Sequence, residues 1–110
     1  MYDAYGLLID NRWRPASDGQ SRAVTSPVTG EAVGTTPMAT DADIAAALDS
    51  VQKGFEIWRR VPAWERAKIL RRAADLMRER VAAIADLMST ETGKPMAEAK
   101  AETLAAADQF

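Results

Sequence analysis

The longest helical pattern in this sequence runs from Ala63 to Thr92, and it limits what the rest of the chain can form. Apolar side chains recur along it in steps of three and four residues, the spacing that puts side chains on one face of an α-helix. This face consists of Leu70, Ala73, Met77, Val81, Ile84 and Met88, widened by Ile69, Leu76 and Leu87. An unbroken helix of this length measures about 45 Å, which is long for a small domain. Because such a helix cannot cover its own apolar face, the pattern predicts that it packs on a partner surface.

Two shorter helical patterns flank the long one. The first begins at Thr40, where Thr40 and Asp43 have the spacing of a capping box. Its apolar face is formed by Ile44, Leu48, Val51, Phe55 and Trp58. The other follows Gly93 and Pro95, residue types that end one helix and open the next. Its apolar face is formed by Met96, Ala99, Thr103, Ala106, Ala107 and Phe110. We therefore predict three amphipathic α-helices within residues 41–110.

Residues 1–40 have the pattern of short strands joined by turns. Asp10 and Asn11 both tolerate a left-handed backbone, so they favour a hairpin turn between GLLID and RWR. Further strand-like segments are SRAVTS and EAVGTTP, separated by a PVTG turn and preceded by a PASDG loop. Strands this short are typical of the edge of a larger sheet.

The composition excludes several kinds of active site. The 110 residues include no Cys and no His, so the chain offers no thiolate and no imidazole base. A net charge of −2 argues against nucleic-acid binding, and no apolar run reaches the length of a membrane span. The first residues do not have the basic and then apolar layout of a secretory signal. We therefore expect a single cytoplasmic domain or part of one.

Basic residues dominate the beginning of the long helical pattern. They are Arg59, Arg60, Arg66, Lys68, Arg71, Arg72, Arg78 and Arg80, accompanied by the acids Glu65, Asp75 and Glu79. One interpretation is a surface that binds an acidic partner. The interpretation that we favour is a solvated helix face with local pairs of Asp75 to Arg71 and to Arg78, because the arginines are spread around the helix.

Two pairs of carboxylates have spacings that metal or acid–base sites also use. They are Asp41 with Asp43 and Glu98 with Glu102. Helix capping and surface charge explain both pairs better. Gly93-Lys94 follows a helix instead of a strand, which is the wrong context for a phosphate loop. No catalytic, cofactor-binding or metal-binding residue is predicted in this chain.

Several segments, taken in order, resemble the N-terminal segment of the aldehyde dehydrogenase superfamily. They are LLIDNRW, SPVTGEAVGTTP, Phe55 with Trp58, ERAKILRRAADLM, and ETGKP with the helix that follows. Each segment is weak evidence alone, but their order and spacing over residues 7–110 make the resemblance specific. The amino-acid sequence of the last two segments is most similar to that of the succinate-semialdehyde dehydrogenase branch.

The resemblance implies an α/β parent fold in which residues 1–110 are the N-terminal portion of the coenzyme-binding domain. It also implies oxidation of an aldehyde, with succinate semialdehyde as a candidate, to the carboxylic acid by NAD or NADP. The family's nucleophilic Cys, its Glu base and its nucleotide-binding loop have no counterpart here, so we expect no coenzyme binding and no activity from the segment alone. The helical pattern continues to Phe110 without a stop signal, which predicts a longer parent chain.

The resemblance also suggests where a cation could bind and which partners the chain has. Val24, Thr25 and Glu91 match positions near which some members hold a monovalent cation, but Glu91 replaces the commoner Asp and no metal is predicted. The expected partners are the remainder of the enzyme chain and further copies in a homo-oligomer. The alternative function is a non-enzymatic helical module that binds through its basic helix start or its apolar faces.

Overall fold

The structure is a computed structural model that describes residues 6–110 of the chain. The predicted strand-and-turn region begins at residue 1, and its first five residues lie outside the described part. The elements in chain order are β1 (Leu7–Ile9), β2 (Arg12–Arg14), β3 (Ser21–Thr25), β4 (Ala32–Pro37), α1 (Asp41–Trp58), α2 (Ala63–Glu79), α3 (Val81–Thr92) and α4 (Met96–Ala107).

The described chain forms two compact units. One consists of the chain up to Thr25 together with Gly30–Arg60, and the other of Ser26–Thr29 together with Val61–Phe110. The first unit therefore contains the four strands and α1, and the second contains α2, α3 and α4.

The strands of the first unit form two antiparallel hairpins. In the β1–β2 hairpin Leu8 is opposite Trp13, and the turn residues Asp10 and Asn11 have φ angles of 53° and 58°. This confirms the predicted left-handed turn, which only a few residue types adopt at low cost. Strands β3 and β4 pair with Val24 opposite Gly34, and the register shifts between Val24 and Thr25. The two hairpins form separate sheets within residues 6–110.

Helix α1 begins with the predicted capping box. Thr40 Oγ1 accepts a hydrogen bond from the Asp43 N–H at 3.2 Å, and the Thr40 N–H donates to Asp43 Oδ2 at 3.0 Å. These hydrogen bonds provide partners for backbone N–H groups that have none within the first turn of a helix. The sequence pattern therefore places the start of α1 correctly.

The prediction of one continuous helix from Ala63 to Thr92 is wrong, because the chain breaks at Arg80 and the described part has four helices. Arg80 has φ −106° and ψ 12°, outside the helical region, and it ends α2 and precedes α3. Helix α4 contacts both α2 and α3. At 12 residues, α4 is about 18 Å long, so the break allows one short helix to pack on two others. No Gly or Pro marks this position, so the sequence carries no local signal for the break.

Small side chains form the most buried part of the second unit. Ala85, Ala99 and Ala107 are at most 1% exposed, and Ala74 is 4% exposed. The large residues of the predicted face are less buried: Met77, Val81 and Ile84 are half-buried, and Ile69 and Leu70 are exposed. The predicted α4 face is correct at Ala99, Thr103 and Ala107, whereas Met96 and Phe110 are exposed. The helices thus approach closely through residues that contribute little volume.

We expect Ala99→Leu to lower the free energy of unfolding by about 1–3 kcal/mol, because the larger side chain overpacks a position with no exposed surface. Ala97→Leu lies on the exposed side of the same helix and should change stability by less than about 0.5 kcal/mol. Urea denaturation followed by circular dichroism measures both values. Equal losses would show that α4 does not pack through Ala99.

Two glycines should respond in opposite directions to replacement by Ala. Gly93 has φ +71°, and a Cβ there would lie 3.2 Å from the side chains of Pro27 and Val28, so Gly93→Ala should cost about 1–2 kcal/mol. Gly54 lies within α1 with nothing near an added Cβ, so Gly54→Ala should stabilise the chain by about 0.5–1 kcal/mol. Thermal melts of the two variants check the signs.

Candidate functional site

The most buried charged group in the described chain is the carboxylate of Asp43. Its side chain belongs to the first turn of α1 and the residue is 3% exposed. Asp43 Oδ2 accepts hydrogen bonds from the backbone N–H groups of Ser17 and Thr40, each at 3.0 Å. The hydroxyl groups of Thr40 and Ser17 lie 2.9 and 3.2 Å from the same oxygen and 2.7 Å from each other. Arg14 Nη2 approaches Oδ1 at 3.9 Å.

These contacts decide the protonation state of Asp43. The hydrogen bond from the Ser17 backbone, followed by that from Thr40, lowers the pKa of Asp43 from 3.8 to about 2. The carboxylate is therefore ionised throughout the neutral range, where a general acid or base needs a pKa near the working pH. The arrangement supports a structural role in which one carboxylate joins the 15–19 loop to the start of α1.

A small cleft lies beside Asp43 in the first unit. Its volume is about 190 Å³, and it is lined by Leu7, Leu8, Ile9, Ala39, Asp43, Ile44 and Ala47. Pockets for ligands of cofactor size occupy roughly 300–1,000 Å³ and hold polar groups that match the ligand. This cleft is smaller, mostly apolar and bordered by a carboxylate, which would repel a phosphate. The residues of the cleft do not fit a nicotinamide dinucleotide.

Most of the basic side chains near the start of α2 have acidic neighbours. Ion pairs join Arg59 and Arg60 to Glu56, Lys68 to Glu65, and Arg72 to Glu79. The predicted pair of Asp75 with Arg78 is present at 3.6 Å, whereas Arg71 makes no ion pair within residues 6–110. The interpretation as a solvated helix face therefore holds for most of this surface.

Two contacts of the basic residues were missed in the sequence. The Arg59 guanidinium lies 5.5 Å from the centre of the Phe55 ring, and the Lys68 ammonium lies 4.2 Å from the centre of the Trp64 ring. Both are i,i+4 pairs on a helix or at its end, so their spacing was a signal that could have revealed them. The two aromatic rings therefore make cation–π contacts with basic side chains of the same chain.

The corner between α3 and α4 is also occupied by contacts within the chain. Lys94 pairs with Glu102, and the Ser89 hydroxyl donates to the Lys94 carbonyl at 2.7 Å. Gly93 is left-handed, as the sequence predicted for a helix end. The turn residues Pro27 and Val28 pack against Gly93. These contacts give Lys94 and Glu102 a structural role.

The residues matched to a cation site are divided between the two units. Val24 and Thr25 belong to β3 in the first unit, and Glu91 belongs to α3 in the second. Within residues 6–110 no group of three or more acidic, His or Cys side chains is arranged to hold a metal ion. In the same range, no helix is both long enough and apolar enough to cross a membrane.

Comparison with known proteins identifies the family. Residues 13–110 match the Aldehyde dehydrogenase family, and the chain belongs to it. A 4-(hydroxymethyl)benzenesulfonate dehydrogenase of Comamonas testosteroni is 41% identical over 108 residues, which cover 98% of this chain and 23% of the relative. A glutarate-semialdehyde dehydrogenase of Pseudomonas putida is 43% identical over 99 residues, covering 90% of this chain and 21% of the relative.

A branch expected from the sequence is also among the relatives. The NADP(+) succinate-semialdehyde dehydrogenase of Escherichia coli is 40% identical over 95 residues, covering 86% of this chain and 20% of that enzyme. The crystal structure of a succinate-semialdehyde dehydrogenase from Burkholderia pseudomallei superposes with a TM-score of 0.91 at 39% identity, covering 94% of this chain and 21% of that one. The resemblance and the aldehyde dehydrogenase-like fold class are confirmed. The chain spans about a fifth of the length of these relatives.

The hydrogen bonds to the Asp43 carboxylate should make the free energy of unfolding depend on pH in the acidic range. Because folding lowers the pKa of Asp43 to about 2, its ionised form stabilises the fold above about pH 4, and this contribution disappears as the pH falls toward 2. We expect the melting temperature to fall less steeply over this range in Asp43→Asn than in the unmodified chain. Asp41→Asn removes a charge from the exposed side of the same turn and should keep the original slope. Identical slopes for Asp43→Asn and the unmodified chain would contradict the assignment.

Proposed function

We propose that this chain is the N-terminal portion of the coenzyme-binding domain of an NAD(P)-dependent aldehyde dehydrogenase. The match of residues 13–110 to the family, in a chain about a fifth as long as its relatives, is the observation that carries the proposal. The NADP(+) named for the Escherichia coli relative supports a nicotinamide coenzyme for the whole enzyme. A cytoplasmic location and a homo-oligomeric parent enzyme are part of this proposal.

For the substrate, we propose an aldehyde that carries an acidic group at its other end. Glutarate and succinate semialdehydes have this structure, and the hydroxymethyl compound named for the Comamonas relative carries a sulfonate. Succinate semialdehyde is the candidate that the sequence resemblance also favours. The product would be the corresponding carboxylic acid.

The role proposed for this portion is structural. Aldehyde oxidation through a covalent intermediate needs an activated nucleophile, and the chain has no Cys and no His. Several of the charged groups that the chain does provide hold its own fold: Asp43 joins a loop to α1, and Lys94, in the corner after α3, pairs with Glu102 of α4. The reacting groups would come from the rest of the enzyme.

A second candidate function is the helical interaction module. Arg66, Arg71 and Arg80 make no ion pair within residues 6–110; Arg71 and Arg80 are exposed and Arg66 is half-buried, so the first two are the most accessible to an acidic partner. The pairing of Arg59, Lys68 and Arg72 with neighbouring carboxylates favours the enzyme segment instead. Titration with an acidic peptide separates the two: micromolar binding that Arg66→Ala and Arg71→Ala abolish would support the module.

A fusion protein tests the main proposal. We expect this chain, joined to the portion of the Escherichia coli enzyme that follows its matched region, to reduce NADP with succinate semialdehyde. The isolated chain should reduce none, because it lacks a nucleophilic thiol. Absorbance of the reduced coenzyme measures both reactions. The control is the Escherichia coli portion alone, which should be inactive if the N-terminal portion is required.

An inactive fusion that is folded, as judged by a cooperative melt, would contradict the proposed function. So would aldehyde-dependent coenzyme reduction by the purified 110-residue chain.

A further inference from the structure

The loop between β2 and β3 contains the single Asp-Gly sequence of the chain. Asp18 precedes Gly19, and no other Asp or Asn among the 110 residues precedes a glycine. Both residues are exposed. Glycine has no Cβ, so the side chain before it can approach its backbone nitrogen with little steric hindrance. A carboxyl group and an unhindered amide nitrogen are thus neighbours in an accessible part of the fold.

These two groups can react with each other. When the Asp18 carboxyl is protonated and the Gly19 nitrogen attacks its Cγ, an N–Cγ bond forms, the Cγ–OH bond breaks, and the hydroxyl leaves as water with the amide proton. The product is a five-membered cyclic imide. Water then opens the ring: attack at Cγ restores the original peptide, whereas attack at the main-chain carbonyl carbon leaves Gly19 joined to Asp18 through the side chain. The reaction needs only water, and this β-linked product has the mass of the original chain.

In the folded chain both reacting groups are held by hydrogen bonds. The Gly19 N–H donates to the Ala16 carbonyl at 2.9 Å, and Asp18 Oδ1 accepts a hydrogen bond from the Gln20 N–H at 2.9 Å. Because the Gly19 nitrogen must give up its proton and turn toward Cγ in order to react, ring closure requires that the bond to Ala16 break. The folded loop therefore opposes the reaction that its sequence favours.

The residue before Asp18 fastens the same loop to α1. The Ser17 N–H donates to Asp43 Oδ2 at 3.0 Å, and the Ser17 hydroxyl lies 2.7 Å from Thr40 Oγ1 and 3.2 Å from Asp43 Oδ2. Ala16, whose carbonyl closes the turn, is 3% exposed. A reaction that needs a local opening is slowed in proportion to the fraction of molecules that are open. The contacts with α1 therefore set how often the turn can open.

We propose that Asp18–Gly19 is a site of spontaneous aspartate isomerisation, and that the contact of the 15–19 loop with α1 controls its rate. While the loop is bound to Asp43, the turn keeps the Gly19 nitrogen engaged and the peptide stays intact. When the loop leaves α1, the cyclic imide forms and opens to the β-linked product. This product has one additional backbone carbon, so the turn from Ala16 to Gly19 cannot close again with its original geometry. A transient loss of the loop contact thus becomes permanent.

Incubation of the full chain, folded or unfolded in guanidinium chloride at the same pH and temperature, tests the site. Peptide mapping with electron-transfer fragmentation distinguishes the β-linked from the original peptide despite their equal mass. We expect the β-linked form at residue 18 to accumulate at least about tenfold more slowly in the folded chain. Asp18→Glu keeps the carboxylate but would have to close a six-membered ring, so this control should give no β-linked product in either state.

Two substitutions test the control by α1. In the folded state, Asp43→Ala removes the carboxylate that binds the loop and should raise the rate at residue 18 at least about fivefold. Asp41→Ala removes an exposed carboxylate from the same turn of α1 and should leave the rate unchanged. Ser17→Ala removes only the hydroxyl contacts of the loop and should raise the rate at least about twofold. It provides the test if Asp43→Ala does not melt cooperatively.

The other outcomes contradict different parts of the proposal. Absence of the β-linked form from the unfolded chain would overturn the site itself. Equal rates in the folded and unfolded chain would overturn the protection by the fold. An unchanged rate in folded Asp43→Ala and Ser17→Ala would overturn the control by α1. So would an Asp41→Ala rate as high as that of Asp43→Ala, because it would show that the loss of a charge, and not of the loop contact, is responsible.

Discussion

The packing of α4 against α2 and α3 holds the second unit together, and it depends on small side chains. Ala99, Thr103 and Ala107 follow one another at four-residue steps and are at most 2% exposed. The Thr103 hydroxyl donates to the Ala99 carbonyl at 2.8 Å, so the one polar group among them is satisfied while buried. Small residues let helix backbones approach closely, and α4 contacts both α2 and α3.

An ion pair joins the C-terminal ends of α2 and α4. Arg78, in the last turn of α2, donates to Asp108 at 2.7 Å and to the Ala107 carbonyl at 3.4 Å. The carbonyl belongs to the last turn of α4, where carbonyls lack partners within the helix. In the first unit, a loop and a helix are joined by hydrogen bonds to the Asp43 carboxylate instead. Within residues 6–110, neither unit is held by a large apolar core.

Features set by local chemistry could be predicted from the sequence. The Asp10–Asn11 turn, the Thr40–Asp43 capping box and the left-handed Gly93 each depend on residues within four positions of one another. The break at Arg80 could not be predicted, because no Gly or Pro marks it and the contact of α4 with two helices is not visible in the sequence pattern. The pairing of Arg72 with Glu79, in place of Arg71 with Asp75, depends on side-chain directions that helical spacing alone does not determine.

Burial was the least predictable property of the helices. Periodicity identified the apolar faces of α1 and α4, but it does not show which side chains have a neighbour to pack on. In α1 the half-buried residues include the small Ala46, Ala47 and Ser50, whereas the large Leu48, Val51 and Phe55 are exposed. The absence of a predicted catalytic residue followed from composition, and the structure adds that Asp43 is too strongly stabilised as an anion for acid–base work near neutral pH.

The distribution of side-chain size between buried and exposed positions connects these observations. In an independent domain the large apolar residues are usually inside, because burying one Leu, Val or Phe side chain contributes about 1.5–3 kcal/mol. Here the fully buried apolar side chains are mainly alanines, while Leu48, Val51 and Phe55 are more than half exposed. The chain by itself therefore realises little of the hydrophobic stabilisation that its sequence contains. More of it would become available if another apolar surface covered the exposed side chains of α1.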